Sequence, residues 1–285
     1  MTAPDGRRLG IALVMLAVLF FTLLDSTAKA LAGSHSMGML VWARYAFGLG
    51  WLLLLMPKGH GLQPFHTARP WVHALRGTLI MASTGFMFAS VRHLPLATIY
   101  AISFLSPLLV AAMSVPFLGE RVRPAQWLAI LGGFAGVLVV VRPGMVPVDW
   151  TILLPFGMMA TYALYQILTR MTGLSDPPLT ALLHVTLVGF LAASLALPVS
   201  WSAPDPWHWA AFAAMGALGT AGHLCLIKAL TIAPASAVSP FTYTQIIWAT
   251  LVSVLWFGQM PDAPTLAGGA IVIASGLWLM RMGTR

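Results

Sequence analysis

The sequence predicts an all-α integral membrane protein of ten transmembrane helices, arranged as two inverted five-helix repeats. Three observations point there. Of its 285 residues 59% are hydrophobic and 8% charged, against about 25% charged in soluble domains. The apolar residues come in repeated runs long enough to cross about 30 Å of hydrocarbon as helix. The two halves of the chain also resemble each other at a nearly constant offset.

The first five spans read as Leu9 to Ala32, Met37 to Met56, Val72 to Val91, Leu96 to Leu118 and Ala125 to Val141. The second five read as Trp150 to Thr169, Leu179 to Val199, Trp207 to Leu230, Ala235 to Phe257 and Pro264 to Met280. Backbone polar groups in hydrocarbon must be satisfied within the segment, and the runs lack the alternation of a barrel strand, so each is a helix. Short connections such as Gly33 to Ser36 and Gln259 to Ala263 make neighbouring helices antiparallel. The 11 Trp residues, many near span ends, fit interfacial aromatic belts.

The formal charge of +8 comes from Lys and Arg scattered between apolar runs, with no basic stripe interleaved with aromatics, so nucleic acid is not a partner. Their distribution sets orientation instead. With a cytoplasmic N-terminus, the inside carries Arg7, Arg8, Lys58, Arg69, Arg121, Arg123, Arg170, Arg281 and Arg285, and the outside loops carry Arg92 and Arg142. Both termini are then cytoplasmic, in the cell inner membrane. Arg7-Arg8, the apolar run to Leu24 and Ala30-Leu31-Ala32 imitate a secretion signal. Asp25 and Lys29 interrupt the pattern, and cleavage would leave the first repeat one helix short, so the segment reads as retained. Cys225, the single cysteine, excludes an intrachain disulfide and a cysteine metal cluster.

Phe117-Leu118-Gly119-Glu120 aligns with Trp256-Phe257-Gly258-Gln259, and Leu94-Pro95-Leu96-Ala97 with Ala233-Pro234-Ala235-Ser236, both at an offset of 139 residues; Lys29 faces Arg170 and Pro57 faces Pro198 at 141. The repeats read as residues 1–145 and 146–285. Each holds an odd number of helices, so the second copy runs inverted, a plan common among secondary transporters.

The tract Thr98-Ile99-Tyr100-Ala101-Ile102-Ser103-Phe104-Leu105-Ser106-Pro107, followed by Phe117-Leu118-Gly119-Glu120-Arg121 and the helix with Gly132, Gly133 and Gly136, resembles the signature of the drug/metabolite transporter superfamily, EamA type. Arg76-Gly77, and Asp25 with Lys29, also look like this family. The resemblance spans the whole chain and implies a ten-helix carrier, many members of which export amino acids or other metabolites while some import vitamins or cofactors. The second repeat departs from the pattern with Gln259 where a Glu is frequent, which removes any role requiring two symmetric carboxylates.

Ionisable groups in a bilayer are costly and therefore functional candidates. Asp25 and Lys29 lie one turn apart on one helix, and Arg44 lies at comparable depth on the next. They read as one cluster, either binding substrate or a proton or pinning the first two helices. An imidazole ordinarily titrates near physiological pH, so the membrane histidines His184 and His223 are candidate proton relays; His223 is the better one, because Gly216, Gly219 and Gly222 thin its helix, although interhelical hydrogen bonding is the commoner role. Tyr100, Tyr243, Tyr162, Gln166 and Gln245 offer polar tips suited to a cavity for an amphipathic solute, or interhelical bonds, and Trp248 faces either that cavity or lipid. The remaining histidines read as bland. Gly132, Gly133 and Gly136, with Gly268, Gly269 and Gly276, read as packing surfaces on the fifth and tenth helices, supporting the bundle or a homodimer; monomer and homodimer stay open. Glu120 beside Arg121 and Arg123 reads as a surface ion pair or gate latch.

These readings favour a secondary carrier exporting a small amphipathic organic metabolite, of amino-acid type, or a drug, with coupling to protons or an exchanged solute left open. The alternative is an importer of a vitamin or cofactor such as riboflavin or S-adenosylmethionine. No P-loop is present, so this chain does not hydrolyse ATP. No catalytic constellation, metal set or cofactor site is legible, and an enzyme is disfavoured.

The orientation is testable with C-terminal fusions. Alkaline phosphatase should be inactive and a fluorescent protein bright; the reverse pattern would overturn the charge-based topology.

Overall fold

A computed structural model describes residues 3–56, 66–67, 69–118, 124–142, 149–172, 178–232 and 239–283. The described residues are overwhelmingly helical, with no strand among them. The helices are α1 (Ala3–Leu31), α2 (Met37–Leu55), α3 (Pro70–His93), α4 (Leu96–Ser103), α5 (Ser106–Leu118) and α6 (Pro124–Val141), then α7 (Leu153–Thr172), α8 (Pro178–Ser200), α9 (Pro206–Ile232), α10 (Gln245–Leu255) and α11 (Ala263–Gly283). Short 3-10 turns at Trp150–Ile152 and Ser239–Thr244 lead into α7 and α10. Six described helices are long and apolar enough to cross a membrane, and stretches 127–141, 241–255 and 263–278 are shorter apolar helices.

The fourth and ninth spans are not the continuous α-helices expected from the sequence. The fourth is divided at Phe104 and Leu105 into α4 and α5. Pro107 has no N–H to offer the Ser103 carbonyl one turn back, and the chain tightens there, with Leu105 N–H donating to Ile102 O at 3.1 Å. In the ninth span a 3-10 turn over Ser239–Thr244 gives way to the α-helix at Gln245. The offset of 139 carries Phe104 onto Tyr243 and Leu105 onto Thr244, so the two breaks fall at matching positions. The rings of Phe104 and Tyr243 meet edge to face with centroids 5.2 Å apart, as residues near an axis relating the halves would.

The packing has the same symmetry. Helix α1 lies on α9 as α7 lies on α3, α2 lies on α9 as α8 lies on α3, and α2–α8, α4–α10 and α6–α11 each pair an element with its own counterpart. Exchanging the halves converts this set of pairings into itself, which is the arrangement of two inverted five-helix repeats. At the α6–α11 contact, Cβ atoms added at Gly136 or Gly268 would stand 2.8 and 2.5 Å from the other glycine's carbonyl oxygen, so these glycines serve close packing.

Two polar clips tie connections together at the end of the bundle holding the α1–α2 turn. Arg142 ends α6 at φ 50°, and its Nη2 donates to Asp262 Oδ2 at 2.5 Å. Asp262 also caps α11 by accepting the Thr265 N–H at 3.0 Å; the Thr265 hydrogen bonds, with Arg142 adding to them, hold its carboxyl below the usual carboxylate range. In the second clip the buried rings of His35 and His208 are joined Nε2 to Nδ1 at 3.1 Å. His35 Nδ1 bonds Ser202 Oγ at 2.8 Å, and the Asp205 N–H donates to His208 Nδ1 at 3.2 Å. These histidines, read as bland in the sequence, join the α1–α2 turn to the start of α9.

The second clip has a pH dependence of definite sign. Burial, then the neighbouring His208, hold His35 below the ordinary imidazole value of 6.5, with Asp205 opposing them. Below pH 6.5 the unfolded chain therefore binds this proton more readily than the folded one, and stability falls as pH drops. Thermal unfolding of the purified protein between pH 7.5 and 5 should show a decline that His35→Ala flattens, while lowering stability at pH 7.5. An unchanged slope in His35→Ala would remove the clip from the acid response.

Candidate functional site

Hydroxyl groups inside the helices are mostly satisfied locally. On α1, Thr22 Oγ1 donates to Val18 O at 2.8 Å and Ser26 Oγ to Thr22 O at 2.6 Å, the back-bonding available to such residues where water is absent. Asp25 has no such internal route. Its Oδ2 accepts the Tyr100 hydroxyl at 2.5 Å, from the first turns of α4, and both residues are buried. Thr22 and Gln245 turn their side chains toward the same hydroxyl, so α1, α4 and α10 converge on one polar knot.

The expected cluster of Asp25, Lys29 and Arg44 does not form as one group. Lys29 Nζ donates to Leu94 O at 2.9 Å and to Val91 O at 3.2 Å, and stands 5.4 Å from the Phe257 ring centroid. It caps the orphan carbonyls at the C-terminal end of α3, where a cation is favoured. Arg44 Nη1 donates to Thr84 Oγ1 at 2.7 Å. Thr84 donates to Ile80 O at 2.9 Å, and Tyr45 Oη lies 3.1 Å from its oxygen. One proton and two lone pairs are thereby used. No salt bridge among the described residues joins Asp25 to either cation. The i+4 spacing brings side chains to one face, but the nearest acceptors on α3 and the donor on α4 draw the charges apart.

A cavity opens beside Arg44, lined from α2 and α3 of the first half and from α7, α8 and α9 of the second. Tyr45, Tyr165, Thr186, Thr220 and His223 give it polar edges, and Gly48, Gly216 and Gly219 give it bare backbone. Of the residues singled out in the sequence, it collects Arg44 and His223, together with Gly216 and Gly219 of the glycine run beside His223. His223 also stands edge to face on Phe21 with centroids 5.0 Å apart. Gly222 allows that approach, since a Cβ there would meet the Phe21 ring at 2.6 Å.

The other candidates fall elsewhere. Tyr162 stacks on Tyr165 with centroids 6.1 Å apart, next to the cavity, and Gln166 lies half-buried one turn further along α7. The Tyr243 hydroxyl is buried with no hydrogen-bond partner, on the α10 side near Gly276. Trp248 Nε1 is likewise buried and unpartnered, away from the cavity lining. His184 belongs to a second group: its Nδ1 bonds Thr180 O at 2.9 Å, its ring lies 5.3 Å from that of His73, and Arg76 lies over Tyr165 at 5.4 Å. Glu120, Arg121, Arg123 and Lys58 lie outside the described residues. Tyr45, Thr84, Tyr165 and Thr186 were missed because hydroxyls on apolar helices carry no periodic signal; their importance follows from which helices meet.

A family model described as the EamA-like transporter family matches residues 8–142 and again 149–281. The chain belongs to the EamA-like transporter family. A riboflavin transporter of Rhizobium johnstonii is 26% identical over 280 residues, 98% of this chain and 93% of that protein. An S-adenosylmethionine uptake transporter of Rickettsia felis is 26% identical over 224 residues, 78% of this chain and 75% of that protein. A pseudopaline exporter of Pseudomonas aeruginosa is 25% identical over 290 residues, 97% of this chain and 98% of that protein. A crystal structure at TM-score 0.65 and 20% identity, covering 100% of this chain and 99% of the other, has the same fold. This EamA-like chain is thus a multi-pass membrane transporter of a small molecule and not an enzyme.

The Asp25–Tyr100 bond makes a testable contrast. Tyr100→Phe leaves a buried carboxyl without its donor and should cost about 1–3 kcal/mol, lowering the unfolding temperature in detergent. Asp25→Asn keeps an acceptor for Tyr100, so it should stay near wild-type stability while impairing transport. Equal stability of Tyr100→Phe and wild type would show that the bond holds nothing together.

Proposed function

We propose that this EamA-like chain is a secondary carrier of the cell inner membrane, with both termini cytoplasmic, that moves a small amphipathic organic metabolite by alternating access. Export of an amino-acid-type metabolite or a drug is favoured. The observation that carries the reading is the cavity where helices of both halves meet, with a few polar groups set in an apolar wall, as small-molecule sites are built and as inverted-repeat carriers place them. We take residues 1–145 and 146–285 as the repeat units, in keeping with the two matched stretches. The Asp25–Tyr100 knot and His223 are the groups we assign to proton or exchange coupling.

The relatives named for S-adenosylmethionine uptake and for riboflavin favour a second reading, import of a vitamin or cofactor. Both readings share one carrier mechanism, because a carrier without ATP hydrolysis runs down whatever gradient it is coupled to.

Comparing metabolites in the medium of cells with and without the chain should reveal at least one organic solute whose distribution depends on it. That solute should then show counterflow in proteoliposomes without ATP, with net loss from cells for export and net gain for import. Absence of counterflow for every solute so identified would defeat the carrier reading.

A further inference from the structure

We propose that Arg44 is the docking residue for a carboxylate on the transported solute; this deepens the carrier reading and rests on it. Arg44 lines the cavity, and among the twelve residues that line it there is one Arg and no Asp or Glu. A guanidinium has five N–H donors in a planar fork and no acceptor. Among the described residues Arg44 makes one hydrogen bond, to Thr84, and lies over the Tyr45 ring at 5.5 Å. Its other donors remain for a ligand.

The neighbours explain why this charge stays available. Thr84 is already committed to Ile80 and Tyr45. Asp25 lies within electrostatic reach of Arg44, which offsets part of the cost of a cation in the bundle, but its carboxylate is bonded to Tyr100. Gly219 leaves the wall bare where the guanidinium runs, a Cβ there standing 3.9 Å from Arg44 Nε. A planar carboxylate matches two parallel N–H donors and replaces the water an arginine loses in such a site. The apolar remainder of the solute would face Ile80, Leu182 and Val185.

Trifluoroacetate and its neutral isostere trifluoroacetamide serve as probes, read by fluorine NMR on the full-length protein in nanodiscs, with empty nanodiscs subtracted. Trifluoroacetate should bind at millimolar concentration and trifluoroacetamide at least about tenfold more weakly, a factor equal to about 1.4 kcal/mol. Arg44→Gln should abolish the difference and Arg44→Lys should keep part of it, which covers the case in which the neutral variant does not fold. Equal binding of the two probes to wild type, no binding of either, or undiminished trifluoroacetate binding to a folded Arg44→Gln overturns the proposal. Solute counterflow with no preference for the anion would leave the carrier reading standing and remove this one. Anion binding dependent on Arg44 in a protein with no counterflow would do the reverse.

Discussion

The constraint on which this bundle depends is that hydrocarbon offers no hydrogen-bond partners, so every polar group placed at depth must find one inside the protein. Several of the polar groups on α1 respond to it. Thr22 and Ser26 bond back to their own helix. Lys29 takes the carbonyls that α3 leaves open at its end. Asp25, which can do neither, takes a hydroxyl from a helix 75 residues away in sequence. Charges are thus distributed by the supply of partners, and the supply is set by which helices cross near them.

The same constraint gives the helix breaks their meaning. A break in a membrane helix frees carbonyls that must be satisfied again, so it persists only where neighbouring elements compensate, typically around a cavity. Here the breaks lie at matched positions in the fourth and ninth spans, and the Asp25–Tyr100 knot sits on α4 just before the first of them. Around the pair of breaks lie the unpartnered Ser106 and Tyr243 hydroxyls. This is the least satisfied part of the described bundle, and it adjoins α1, whose Phe21 also touches the cavity residue His223.

Much of the architecture was legible in the sequence because it follows from quantities that sum along the chain: apolar length, the spacing of breaks and the repeat offset. Helix bounds fall close to those read from apolar runs, as at Met37–Leu55 against Met37 to Met56. The break at Phe104 was not anticipated, since Pro107 sits inside an otherwise unbroken apolar run and hydropathy does not register a missing N–H. The site was less legible. Asp25, Lys29 and Arg44 are conspicuous as charges, but whether they meet depends on acceptors contributed by α3 and α4, and the His35–His208 contact joins residues 173 apart. Nothing local in the sequence encodes such a meeting.

The glycines limit how this transporter can move. Most of the tight contacts at glycines cross between the sequence halves: a Cβ at Gly189 on α8 would meet the Tyr45 ring of α2 at 2.5 Å, and one at Gly216 on α9 would meet the Phe47 Cβ of α2 at 2.5 Å. Helix pairs α1–α9, α3–α7 and α6–α11 cross as well. Surfaces packed this closely slide or separate only with loss of many short-range contacts, so the two halves cannot part along the boundary that the repeat defines. Motion that keeps these contacts would need a place where backbone bonding is already interrupted. The divided fourth and ninth spans, α4–α5 and the 3-10 turn leading into α10, provide one on each side of the symmetry. Tyr100, and through its hydroxyl Asp25, stands beside the first of these breaks, whereas Arg44 lies on the α2–α9 contact away from them.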